Sequence, residues 1–172
     1  MKKRRPKIDT SGRSVLVLSA NFTLAELTFS QTAARMHIDN TPSPTQVSNL
    51  RALCVNVLQP FRETAQAPVV VSSGFRSEAL NRFVNGSPDS QHMRGEAADI
   101  VVPQWSVTRA FRLIVEQSLP FDQLIFEGGS QSQWVHVSHS RKRQRGDMFV
   151  AKFPVAGGVH YQRLTRAEAL QL

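Results

Sequence analysis

The stretch Ser72–Asp99, SSGFRSEALNRFVNGSPDSQHMRGEAAD, decides how the chain is read. Within it His92 and Asp99 are separated by a run rich in small residues, Gly95, Ala97 and Ala98. Asp99 opens the apolar run Ile100–Val102, where a buried strand would begin. A carboxylate there must be paired or must bind a cation, because an unpaired buried charge is very costly. A salt bridge to Arg76 or Arg94 would satisfy it, and so would a metal. Downstream, QWVHVS (Gln133–Ser138) supplies His136. Two imidazoles and one carboxylate leave a tetrahedral zinc one open position, as a catalytic zinc requires. A structural zinc closes its shell with a fourth ligand, usually cysteine. The chain has one cysteine, Cys54, which falls in an apolar helical pattern and reads as a core residue.

Three segments occur together in order: SSGFRS (Ser72–Ser77), SQHMRGEAADI (Ser90–Ile100) and QWVHVS (Gln133–Ser138). They resemble the S-G-x-R-S, S-x-H-x-x-G-x-A-x-D and W-x-H elements of the M15 zinc D-alanyl-D-alanine peptidases. That family includes bacterial carboxypeptidases and phage endolysins, and the likeness runs from about Asn21 to Phe153. The middle element is the specific one. The resemblance implies an α+β fold of the hedgehog/DD-peptidase-like kind, with a small antiparallel sheet packed against helices and carrying the ligands. It implies Zn2+ held by His92, Asp99 and His136. Arg76 matches the family arginine, whose guanidinium stabilises oxyanion charge or clamps a substrate carboxylate; an ion pair with a glutamate is the plainer role. Ser90 matches the family serine and is expected to hold the loop or orient a ligand by hydrogen bonding. Trp134 either lines the substrate groove or packs in the core.

The general base departs from the pattern. Many M15 enzymes carry an acidic residue three positions before the last histidine ligand, and here that position is Gln133, which cannot accept a proton at neutral pH. Two candidates remain. Glu127 closes the FDQLIFE segment and is able to lean in from an adjacent strand; His139 lies just past the ligand strand. An odd offset from His136 sends His139 to the opposite face if the strand continues, so Glu127 is preferred.

At 172 residues the chain is long enough to bury a real core. Its 41% hydrophobic and 20% charged content is that of an ordinary globular protein. A formal charge of +8 points to an anionic partner: nucleic acid, an anionic membrane or the bacterial cell wall. Nucleic acid is disfavoured, for want of interleaved aromatics or a binding motif. No apolar run approaches membrane-spanning length, and Val15–Leu18 is too short for a signal-peptide core, so synthesis without an export signal is expected.

Along the chain, residues 1–20 read as a basic arm, 21–153 as the peptidase-like domain and 154–172 as a tail ending in the weakly helical TRAEALQL. Ser14–Ser19 suggests a short edge strand. Thr23 and Glu26 form a capping-box pattern ahead of a short helix. A long helix should start at Pro44, carry Val47, Leu50, Leu53, Cys54, Val57, Leu58 and Phe61 on one stripe, and kink or end near Pro60. Strands are expected over Pro68–Ser72, Ala97–Val102, Phe121–Phe126, Trp134–Ser138 and Met148–Phe153, with a turn at Gly128–Ser130. Helices are expected over Glu78–Val84 and Ser106–Gln117. Arg141–Arg145 is a basic loop, either solvated or touching the wall or phosphate.

The residues thus favour a zinc peptidase acting on peptidoglycan stem or cross-bridge peptides, of the phage lytic type, reaching the wall by holin-type release or from a virion. The other reading is a weakened domain of the same fold serving as a virion structural, tail or wall-binding module, which the Gln133 departure supports.

Overall fold

Strict alternation along the central strands sorts the molecule into two faces. In the computed structural model, which describes residues 15–128, 132–152 and 158–172, six strands form one sheet in the order β1-β2-β4-β3-β5-β6. The strands are β1 (Val70–Ser73), β2 (Ala97–Val101), β3 (Gln123–Gly128), β4 (Gln133–Ser138), β5 (Asp147–Lys152) and β6 (His160–Leu164). Across β2, β4 and β3 the register pairs Ile100 with Val135, Ala98 with Val137, and Val137 with Leu124. These residues form the core face, fully buried with Leu53, Val57, Phe61, Phe111 and Ile114 from the helices. Each such aliphatic or aromatic side chain contributes roughly 1.5–3 kcal/mol on burial. The intervening positions, Asp99, His136 and Ile125 in one register row, form the other face.

The helices are α1 (Leu24–Thr28), α2 (Gln31–Arg35), α3 (Pro44–Leu53), α4 (Gln59–Ala65), α5 (Glu78–Phe83), α6 (Val107–Glu116) and α7 (Arg166–Leu170). Thr23 caps α1 in the expected reciprocal box with Glu26, and Ser106 caps α6 by accepting from the Arg109 amide. The helix begun at Pro44 does not end at Pro60. A π-helical turn, Cys54–Leu58, joins α3 to α4, with the Gln59 amide donating to the Cys54 carbonyl. The widened turn just before Pro60, which has no amide hydrogen, lets the apolar stripe run on to Ala65. Cys54 sits in this turn in the core, where burial pushes its thiol up to about 12.

The sheet is mixed, not the small antiparallel sheet expected. β3 and β5 run parallel, with Gln123 beside Asp147 and Phe126 beside Val150. The cause is the strand order. β2 occupies one edge of β4 and β3 the other, so the chain leaving β4 at Ser138 must skip past β3. The loop 139–146 stays at the end of the sheet where β3 begins, and β5 therefore starts in β3's direction. Buried Asp122 anchors this crossing: it accepts from the Arg145 guanidinium at 2.7 and 2.9 Å and from the Arg145 amide at 3.1 Å. The basic loop is partly structural for that reason.

Two further expectations change. Val15–Ser19 forms no strand, only an isolated bridge from Val17 to Thr23. The segment expected as a tail contains β6, which pairs with β5 and buries Leu164, before the anticipated helix, α7, buries Ala169. The expected turn residues Gly129 and Ser130, the end of the strand at Phe153, and the N-terminal arm as far as Ser14 lie outside the described residues.

Candidate metal centre

Asp99 and His136 face each other across the β2–β4 ladder, and His92 reaches them from a 3-10 turn, Gln91–Arg94, that enters β2. The turn closes at Gly95, held in the left-handed region at φ +69°. A Cβ there would stand 2.6 Å from the Gln46 carbonyl oxygen, so glycine is required for the turn to lie against α3.

Three donor atoms converge. His92 Nε2 lies 3.2 Å from His136 Nδ1 and 3.3 Å from Asp99 Oδ1, and His136 Nδ1 lies 2.9 Å from the same oxygen. The edge of a tetrahedron with metal–ligand distances of about 2.0–2.1 Å is about 3.3 Å, so the set matches zinc-sized coordination. His92 Nδ1 is 2.6 Å from the Gly74 carbonyl oxygen, which can only accept. The proton is thereby fixed on Nδ1, leaving the Nε2 lone pair facing the cluster. Gly74 itself cannot carry a side chain, because a Cβ would meet the Leu27 carbonyl oxygen at 2.2 Å.

The electrostatics agree. Burial pushes Asp99 up, but the two imidazoles overcome it and hold the carboxyl well below its ordinary range. Burial pushes His92 down toward the neutral form that ligates metal. His136 is also disfavoured by burial, yet its hydrogen bond to Asp99 carries it above the ordinary imidazole value. Among the described residues, these three are the group whose donor atoms could hold a metal ion.

The neighbours come from adjacent elements. Glu127 pairs with Trp134 across β3 and β4, two residues along from the Ile125–His136 pair and on the same face. The Trp134 indole N–H donates to Glu127 Oε2 at 2.9 Å. Burial raises Glu127 above the ordinary glutamate value, and the nearby Asp99 charge adds to it. Arg76, on the segment after β1, has a buried Nε without a hydrogen-bond partner. Burial pushes its guanidinium down, while Asp99 and Glu127 pull it back up. Arg76 is thus within the field of both carboxylates.

The remaining expected residues lie elsewhere. Ser90 precedes the 3-10 turn and its side chain makes no capping bond there. Gln133 sits exposed at the start of β4, at the alternation opposite to His136. His139 is buried with both ring nitrogens engaged, Nδ1 at 2.6 Å from the Pro120 carbonyl and Nε2 at 3.2 Å from Asn56 Nδ2.

Two contributors escaped the sequence reading. Asn40 pins the Arg76 segment, donating to the Thr28 and Phe75 carbonyls and accepting from the Ser77 amide at 2.7 Å. Its loop context, Asn-Thr-Pro, gave no sign of that role. Tyr161 lies opposite Ala151 on β6, edge-on to Phe149 at 6.3 Å. Partial burial raises its hydroxyl, as do the fields of Glu127 and Asp99. Only a tyrosine in a short alternating run marked it in the sequence.

No curated protein matches the chain. A family model does, Peptidase M15, over residues 20–138. That span runs from the start of α1 through β4 and holds His92, Asp99, His136, Arg76 and Glu127, so the chain belongs to the Peptidase M15 family.

Proposed function

We propose that the protein is a zinc-dependent peptidase that hydrolyses D-Ala-containing or cross-bridge peptide bonds of bacterial peptidoglycan, in a DD-peptidase-like arrangement of sheet and ligands. The observation that carries this reading is the convergence of His92 Nε2, His136 Nδ1 and Asp99 Oδ1 within 3.3 Å, beside a glutamate of raised pKa. His92, Asp99 and His136 would hold the ion. When bound, zinc supplies Lewis acidity, polarising a carbonyl and acidifying water toward neutral pH.

The chain's own groups do the rest. Glu127 takes a proton from the attacking water at a carboxylate oxygen and returns it to the leaving amine. Trp134 fixes the carboxylate by donating to Oε2, which leaves Oε1 for the proton. Arg76 offers a buried, unpartnered Nε–H in a site of carboxylates, suited to clamp a substrate carboxylate or stabilise oxyanion charge. The basic charge of the chain suits an anionic wall. A phage lytic role, with holin-type release or action from a virion, is part of the same proposal.

The test measures metal content and peptide release from purified sacculi for wild type, His136→Ala and Glu127→Gln. Bound zinc at about one per chain in wild type, lost in His136→Ala and kept in Glu127→Gln, with release abolished in both variants, is the expected result. Zinc without release in wild type would favour the wall-binding or virion module instead. Absence of zinc binding would overturn the site.

A further inference from the structure

The 3-10 turn that presents His92 also borders a second feature. Gln91, Met93 and Arg94 line a groove of about 1210 Å³, closed on one side by the N-terminal half of α3 and on the other by the loop after β4. None of the three metal-cluster residues lines it. Five cations do: Arg94, Arg141, Lys142, Arg143 and Arg145. Only Asp89 and Glu96 oppose them within the lining.

Some of these cations are committed. Arg145 is bound to Asp122 and Asp147, and Arg94 to Glu96 at 2.9 Å. Among the described residues Arg141 and Lys142 have no ion pair, and Arg143 has only a longer one. Arg141 donates to the Ser48 hydroxyl, Arg143 pairs with Asp122 at 3.6 Å while staying mostly exposed, and Lys142 is exposed with no ion pair among the described residues. Beneath them, Gln91 is buried. Its Nε2 donates to Asp122 Oδ2 at 2.9 Å, which fixes the amide orientation and leaves Oε1 without a partner.

The lining discriminates between anionic ligands. It contains no aromatic side chain, so it offers no platform on which nucleobases stack. Amides from Gln46, Asn49 and Gln123 and the two carboxylates are interspersed with the cations. Gln46, Asn49 and Glu96 are held by bonds within the protein, whereas Gln91 Oε1 has no partner, so the lining suits a ligand carrying carboxylates together with an N–H donor.

We propose that this groove binds an acidic peptide segment through Arg141, Lys142 and Arg143. It is a site separate from the metal centre, and it does not depend on the peptidase reading. For a peptidase it would anchor an acidic part of the substrate away from the scissile bond.

The experiment uses the full chain and fluorescence anisotropy with two labelled probes, an alternating Glu-Ala hexapeptide and an oligothymidylate. The variants are the double charge reversal R141E/K142E, on an exposed loop, and His136→Ala, with circular dichroism confirming that both fold. The double reversal should weaken hexapeptide binding about tenfold or more, while His136→Ala should leave it within about twofold. Unchanged affinity in the double reversal overturns the proposal, as does loss in His136→Ala alone. Oligothymidylate binding as tight as the hexapeptide, with the same dependence on Arg141 and Lys142, reassigns the groove to nucleic acid.

Discussion

Among the described residues Glu127 is held by one hydrogen bond, and that bond makes its role measurable. Glu127→Gln keeps the shape and the Trp134 contact but removes the proton acceptor. Peptide release should fall about 10²–10⁴-fold with metal content unchanged, read by steady-state kinetics and metal analysis. Burial raises Glu127 in the metal-free chain and a bound cation would lower it again, so the acid limb of kcat/KM is compared between variants. Trp134→Phe removes the donor that stabilises the ionised form, so the limb should move to higher pH; a limb that moves down or stays put refutes the assignment. At this scale much was legible in the sequence. Residue type and order marked His92, Asp99, His136 and Arg76, and strand alternation argued against His139. Asn40 and Tyr161 were hidden because each acts on residues far away in sequence, through contacts that no local pattern encodes.

The 3-10 turn places His92 and the β1–α5 segment orients it, and each hinges on a glycine. Gly74→Ala would drive a Cβ to 2.2 Å from a backbone oxygen of α1, which also disturbs the carbonyl that orients His92. Destabilisation of about 1–3 kcal/mol or more by urea titration is expected, together with weaker metal affinity. Gly95→Ala adds a side chain at positive φ against α3 and should lower Tm similarly. A full wild-type stability in either variant would mean that the backbone yields where the geometry says it cannot. Elements with strong local signals, the α1 capping box, the Ser106 cap and the valine-rich strands, were readable in advance. The parallel β3–β5 pair was not, because it follows from which strand edges are already taken. The π turn was equally hidden: the apolar stripe reads the same whether a helix widens at Pro60 or stops there.

For the whole molecule, the end of the sheet carrying loop 139–146 is fastened by Asp122. Burial pushes this carboxyl up, and the Arg145 hydrogen bonds bring it below the ordinary value of 3.8. Its contribution to stability is therefore present above about pH 3.8 and lost as pH falls through the lower folded-state value. Arg145→Ala should cost about 2 kcal/mol at pH 7 by denaturant titration, less than a fully buried pair because Arg145 is partly exposed. The difference from wild type should shrink once Asp122 is protonated in both. Stripping metal with a chelator should lower Tm, since an ion at a hundred times its Kd adds about 2.7 kcal/mol. Among the described residues, no helix is long and apolar enough to cross a membrane. The family likeness stops at 138, yet β5 and β6 continue the face that carries the cluster, adding Phe149 and Tyr161 beside it. The strands that border the cluster on that side are therefore distinct from those that carry its donor atoms. Substitutions at Phe149 or Tyr161 would change what borders the cluster while leaving His92, Asp99 and His136 untouched.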